Sequence, residues 1–180
     1  NIIQNEKKNI MNYNDMFILG KSNLESDVFD ILIFARRDIK TAEIPSFIRI
    51  ISPYAFEWCT QLKTIVFPDD SQLQYIDLNA FAHSTIENFT IPLHVNTIGL
   101  SAFAFCENLH KVDAHPDSKL KSICAETFYS SSISNITIPS NLTTIFSRAF
   151  SSCEYLKHID FPKDSKLEII ENEGFFHCQI

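Results

Sequence analysis

One phrase recurs through this chain: an isoleucine, four residues, then a phenylalanine. It pairs Ile51 with Phe56, Ile76 with Phe81, Ile98 with Phe103, Ile123 with Phe128, Ile145 with Phe150 and Ile170 with Phe175. The phenylalanines are spaced 25, 22, 25, 22 and 25 residues apart, so long and short units alternate. The pair Ile-Pro, beginning at Ile44, Ile91 and Ile138, repeats at 47, the sum of one long and one short unit. A unit of this size exposes too much of its apolar surface to fold alone. Stacked on copies of itself, it places each Phe over the Phe of the coil below and builds a continuous core. The sequence therefore describes a solenoid, and a central Phe should be worth roughly 3–5 kcal/mol.

Each unit reads L-x-x-I-x-[FI], a polar or proline turn, then I-x-x-x-A-F-x-x-C/S. In "LKTIVF", "IENFTI", "LHKVDA", "ISNITI" and "LKHIDF" apolar residues alternate with period two, as in a short strand with one buried face. Ile65 and Phe67 should point inward, and Thr64 and Val66 outward. The "SPYAFEWC" stretch has no room for a long helix and is expected to form a short helical or 3₁₀ turn. The residue before each Phe is small where the backbone must turn tightly: Ala55, Ala80, Ala102, Thr127, Ala149 and Gly174. Shifting the 47-residue period backwards places Phe34, Ile39 and Ile44 under Phe81, Ile86 and Ile91, making "VFDILIFARRDIKTAEIP" a degenerate first repeat. Residues 1–20 have no repeat phase and read as a leader or N-terminal cap. Residues 21–180 read as the solenoid, with the degenerate repeat at 21–43 and a truncated last one. The chain opens on Asn1 rather than Met, and at Ile180 the array is expected either to continue or to end on an exposed coil.

The 180 residues carry a net charge of −7, which argues against a nucleic-acid scaffold with its basic face. The three glycines, Gly20, Gly99 and Gly174, lie far apart, which excludes a glycine-rich phosphate cradle. No apolar run approaches the roughly 20 residues of a membrane helix. The best candidate, Val28 to Ala35, is interrupted by Asp30 and is not placed as a signal peptide.

"LKHIDFPKDSKLEIIENEGF" and "ITIPSNLTTIFSRAFSSCEYL" resemble the treponemal, or BspA-like, leucine-rich repeats, with their L-x-x-I-x-[LF]-P and I-x-x-x-A-F-x-x-C consensus. The resemblance covers about residues 28–180, and the alternating units look like the family's trichomonad surface-protein branch. It implies an α/β leucine-rich-repeat solenoid with a parallel strand ladder on the concave face and short helical or 3₁₀ turns on the convex side. It also implies surface display and binding without catalysis. Two departures stand out: no signal peptide or anchor is visible, and Ser replaces Cys in alternate units.

Chemistry-bearing residues form a repeating decoration rather than a constellation. Cys59, Cys106 and Cys153 share a slot two units apart, which puts them roughly 10 Å from one another, beyond disulfide reach. With Cys124 and Cys178 they read as free thiols, although Cys153 and Cys178 lie in adjacent coils where a bridge is conceivable. No C-x-x-C pair marks a zinc site, and no metal or other cofactor is expected. His83 and His177 share a slot four coils apart. His158 with Asp160, and Lys111 with Asp113, share outward strand faces but converge on no reacting point. Asp70-Ser71, Asp117-Ser118 and Asp164-Ser165 recur at 47 and read as local turns rather than a calcium site. Asn88, Asn135 and Asn141 are N-glycosylation acceptors, the first two in phase on outward strand positions.

The expectation is a non-enzymatic, protein- or glycan-binding module, adhesin-like and at the cell surface or secreted. Its ligand would be a host-cell or extracellular-matrix component, with no nucleic acid and no membrane insertion within the chain. The expected contact surface is Thr64, Val66, Asn88, Thr90, Lys111, Asp113, Asn135, Thr137, His158 and Asp160. The alternative reading is a cytoplasmic interaction scaffold with reduced thiols.

Overall fold

The computed structural model describes residues 9–180. The strands are β1 (Ile10–Tyr13), β2 (Phe17–Gly20), β3 (Ile31–Ala35), β4 (Thr41–Glu43), β5 (Ile50–Ile51), β6 (Thr64–Val66), β7 (Tyr75–Ile76) and β8 (Asn88–Ile91). They continue as β9 (Thr97–Ile98), β10 (Lys111–Ala114), β11 (Ser122–Ile123), β12 (Asn135–Thr137), β13 (Thr144–Ile145), β14 (His158–Asp160) and β15 (Ile169–Ile170). β1 and β2 form an antiparallel hairpin. Its turn places Asn14 and Asp15 at positive φ, 50° and 52°, as a type I′ turn requires of both central residues. β2 pairs antiparallel with β3, and from β3 onward all pairing is parallel.

Two ladders run along the coil stack. One joins β3, β5, β7, β9, β11, β13 and β15, extended to nine strands by the hairpin. It sets the repeat isoleucines in register, Ile51 against Ile76 and Ile76 against Ile98, onward to Ile145 against Ile170. The second ladder comes in two pieces, β4–β6 and β8–β10–β12–β14. Between the ladders the six repeat phenylalanines stack nearly parallel. Their ring centroids lie 4.9, 5.0, 5.4, 5.2 and 5.0 Å apart from Phe56 to Phe175. The expected core is thus present, and Phe56 to Phe150 are fully buried.

The turn beside each Phe is not helical, and the described residues contain no helix at all, so the chain is an all-β solenoid rather than α/β. Residues two before and two after every repeat Phe have positive φ, from Tyr54 and Trp58 to Glu173 and His177. The reason lies in where the amides go. In the first such turn, Ala55, Glu57 and Cys59 donate to Ser52, Tyr54 and Phe56, three residues back. The intervening amides of Tyr54, Phe56 and Trp58 donate instead to Leu78, Ala80 and Ala82 of the next coil. The same three cross-coil bonds recur at Phe81, Phe103, Phe128 and Phe150. A helix would spend those amides within its own turn and leave the neighbouring carbonyls unpaired. The left-handed residues turn them outward.

The first coil departs from the register inferred at Phe34. That residue is 40% exposed, and Phe17 of β2 packs on Phe56 instead, 6.1 Å away and edge-on. The pairings explain it: Leu32 aligns with Ile51 and Ala42 with Ile65. The first coil is therefore too short to make the phenylalanine turn. Arg37 covers the gap, its guanidinium 4.5 Å from the Phe34 ring and donating to the carbonyls of Ala35, Tyr54 and Ala55. Asp30, nearly buried in the connection before β3, accepts from the Ser22 amide and hydroxyl. Burial pushes its carboxyl upward, but those bonds outweigh it and hold the group below its usual range.

Candidate functional site

The outward strand positions assemble by register. Asn88, Lys111, Asn135 and His158 form one lateral row across β8, β10, β12 and β14. A second row holds Thr90 against Asp113 and Thr137 against Asp160. With strands about 4.8 Å apart, the two rows make one polar face. Side chains tie it together: Lys111 Nζ lies 2.7 Å from Asp113, and the Thr137 hydroxyl donates to Asp113 at 3.3 Å. Both partners of that ion pair are more than one-third exposed, so it orders the face more than it stabilises the fold.

Thr64 and Val66 do not join this face. They lie on β6, in register with Thr41 and Glu43 of β4, across a break in the ladder. Thr41 and Glu43 belong to the same rows and were absent from the expected surface. The 47-residue shift from Asn88 and Thr90 leads directly to them. The break itself is a cleft of about 460 Å³. Its walls include Thr64, Val66, Asn88 and Thr90, and its rim includes Lys63, Glu87, Asp69 and His115. The sequence pattern does not show it, because strand alternation continues unbroken through both edges.

The sequon asparagines differ in what holds them. Asn141 donates to the Ser118 carbonyl and accepts from Lys166, and Asn135 donates to the Ser134 hydroxyl. Asn88 is exposed on the cleft wall.

The cysteine slot proves structural. Cys106, Cys153 and Cys178 donate to the carbonyls of Phe81, Phe128 and Phe150, one coil earlier, at 3.0–3.1 Å. Ser84 and Ser131 fill the slot in the alternate coils and lie 3.6 and 3.5 Å from the neighbouring thiols. All five cysteines are free. Burial pushes Cys106 and Cys153 up to about 12, so these thiols are neutral and unreactive. The recurring serines are local as well: Ser71, Ser118 and Ser165 accept from the amides of Leu73, Leu120 and Leu167. Among the described residues no group of three His, Cys, Asp or Glu side chains could hold a metal ion, and no helix is long and apolar enough to cross a membrane.

Parallel coils, in-register isoleucines and a phenylalanine spine define a leucine-rich-repeat solenoid. The BspA type leucine rich repeat region matches residues 32–120 and 74–180 in six copies, and the chain belongs to that family. No curated protein matches it at a significant level. Among solved structures it is similar to the pneumococcal vaccine antigen PcpA, at 23% identity and a TM-score of 0.68, over 86% of this chain and 50% of that one. A leucine-rich repeat protein from Eubacterium ventriosum matches at 19% identity and 0.72, over 96% and 50%. The Treponema pallidum leucine rich repeat protein matches at 17% and 0.65, over 88% and 84%. The chain thus spans about half the length of the first two. At these identities the likeness is one of fold.

Proposed function

We propose that the chain is a non-catalytic recognition module of a secreted or cell-surface protein, adhesin-like, binding a host-cell or extracellular-matrix protein or glycan through its polar strand rows. The observation that carries this reading is the in-register face from Asn88 to Asp160. It is polar and partly exposed, and its groups repeat laterally rather than converging on a reacting point. Thr64 and Val66, on the separate β4–β6 ladder, form the far wall of the cleft beside it. The hairpin of β1 and β2, which lays Phe17 and Leu19 over the first coil, serves as the N-terminal cap in this reading. PcpA, a vaccine antigen by its description, supports the surface location. An Asn88 sugar would crowd the face, so the binding form is the one with Asn88 bare.

A double substitution, Asn135→Arg with Asp160→Lys, tests the face. Binding of the purified chain to an array of matrix proteins and glycans should fall at least about tenfold with the melting temperature unchanged. Unchanged binding would overturn the assignment. The second reading, a cytoplasmic scaffold, is favoured by the five free thiols. Biotinylation of intact cells producing the full-length protein decides between them: labelling supports display, and its absence supports the scaffold.

A further inference from the structure

We infer that the break between β6 and β8 is a peptide site that takes one extended strand between two parallel strand edges. The inference rests on the reading of the strand face as a binding surface, and names the ligand class and place within it.

The break has a steric cause. On the inward side, β6 and its following residue carry Ile65 and Phe67, while β8 carries Phe89 and Ile91. The equivalent junction one 47-residue period later, between β10 and β12, carries Val112 and Ala114 against Ile136 and Ile138, and there the strands pair. Phe89 cannot yield, because it is buried against Phe81 and Phe103, with centroids 5.7 and 4.7 Å away. Phe67 therefore stands edge-on to Phe89 at 5.6 Å and holds β6 away. The two coils stay joined at one end of the cleft, where the Glu87 amide donates to the Lys63 carbonyl at 3.1 Å.

The alternation of backbone bonds shows what faces the opening. Thr64 donates to Lys40 and the Val66 carbonyl accepts from Ile44, so both residues turn their main chain toward β4. By the two-residue period, Ile65 and Phe67 turn theirs toward β8. On the other wall the Glu87 and Ile91 carbonyls accept from His110 and His115, which leaves Asn88 and Thr90 facing the cleft. No strand pairing crosses between them. Two parallel edges with free main-chain groups fit one partner best: a segment that offers N–H and C=O groups on both sides at strand spacing. The apolar part of the lining, Ile65, Phe67 and Ile91, suits small apolar inward side chains. Asp69 on the rim forms no ion pair among the described residues and suits a basic residue at one end. Thr64–Val66 sets the length at three residues, roughly 10 Å of strand.

The test uses the whole chain and a fluorescein-labelled, capped peptide, Lys-Val-Thr-Val-Thr, with a second copy N-methylated at alternate amides. In the free protein the amides of Ile65, Phe67 and Thr90 should exchange with solvent at least about 100-fold faster than those facing the β10–β12 junction. The peptide should bind, slow those three amides, and lose at least about tenfold in affinity when N-methylated. Phe67→Ala, which restores the small residue found at Ala114, should close the ladder, protect the same amides without peptide and weaken binding at least about tenfold. Binding of the parent chain to the matrix array is read in parallel: array binding without peptide binding rejects this site and leaves the wider face standing, whereas peptide binding without array binding supports this site and rejects the wider face. Equal amide protection at the two junctions, no peptide binding, equal binding of the N-methylated peptide, or full binding by Phe67→Ala would each overturn the inference.

Discussion

Cys106 shows how a single side chain serves the stack. Its thiol fills a space beside the Phe103 spine and caps the Phe81 carbonyl at 3.1 Å. Replacement by Val would remove that bond and leave the carbonyl with the Ser84 amide as its partner, at a cost of about 0.5–1.5 kcal/mol. Replacement by Ser, the residue at 84 and 131, keeps the donor. The same burial gives a pH dependence. The Cys106 and Cys153 thiols are held up to about 12, above the 9.0 of an unfolded thiol, so their stabilisation is complete below pH 9. It is lost as pH rises toward about 12, because the unfolded chain gives up its protons first. Within that window each thiol should lower stability by about 1.4 kcal/mol per pH unit. Urea denaturation between pH 8 and 11 should show a shallower alkaline decline for Cys106→Ser than for the parent chain. Superimposable curves would reject the burial argument.

At the scale of the element, the turn decides the architecture. Its left-handed residues include Trp58, His83, Phe105 and Arg148, side chains that gain nothing from that backbone region. They occupy it because the cross-coil amide bonds require it. Three of them also stack: His83 lies 4.0 Å from Trp58 and 4.7 Å from Phe105, nearly parallel to both. Ser130, at φ 52°, has no such compensation. Ser130→Gly should raise stability by roughly 0.5–1 kcal/mol, read as a shift in the urea midpoint without a change in slope. Serine and glycine variants of equal stability would mean the turn is less strained than its geometry indicates.

Over the whole molecule, stability passes from coil to neighbouring coil, and among the described residues the strand contacts join neighbours only. Phe103 is packed on both faces, against Phe81 and Phe128, and flanked by Phe89. Phe175 is half-buried and stacked on one face only. Phe103→Ala should therefore cost about 3–5 kcal/mol, and Phe175→Ala much less. The central substitution should also uncouple the two halves, turning one denaturation transition into two with separate amide-exchange behaviour. A single transition with equal losses for both variants would show that the stack is not the coupling element. The polar rows and the cleft belong to this scale too, since each is made from residues of several coils.

The period of the phrase was enough to determine the solenoid, its phenylalanine spine and the inward and outward faces of each strand. These follow from alternation and spacing, which act locally and repeat. Three things waited on the tertiary structure. The turns became left-handed rather than helical because their amides are claimed by the next coil. Phe34 left the spine because its coil is short, and Phe17 came in from a hairpin with no repeat phase. The strand ladder opened between β6 and β8 because Phe67 and Phe89, each ordinary in its own unit, meet across the same junction. A period records what each coil repeats. Whether two neighbouring coils fit is settled by the volumes that face each other when they stack.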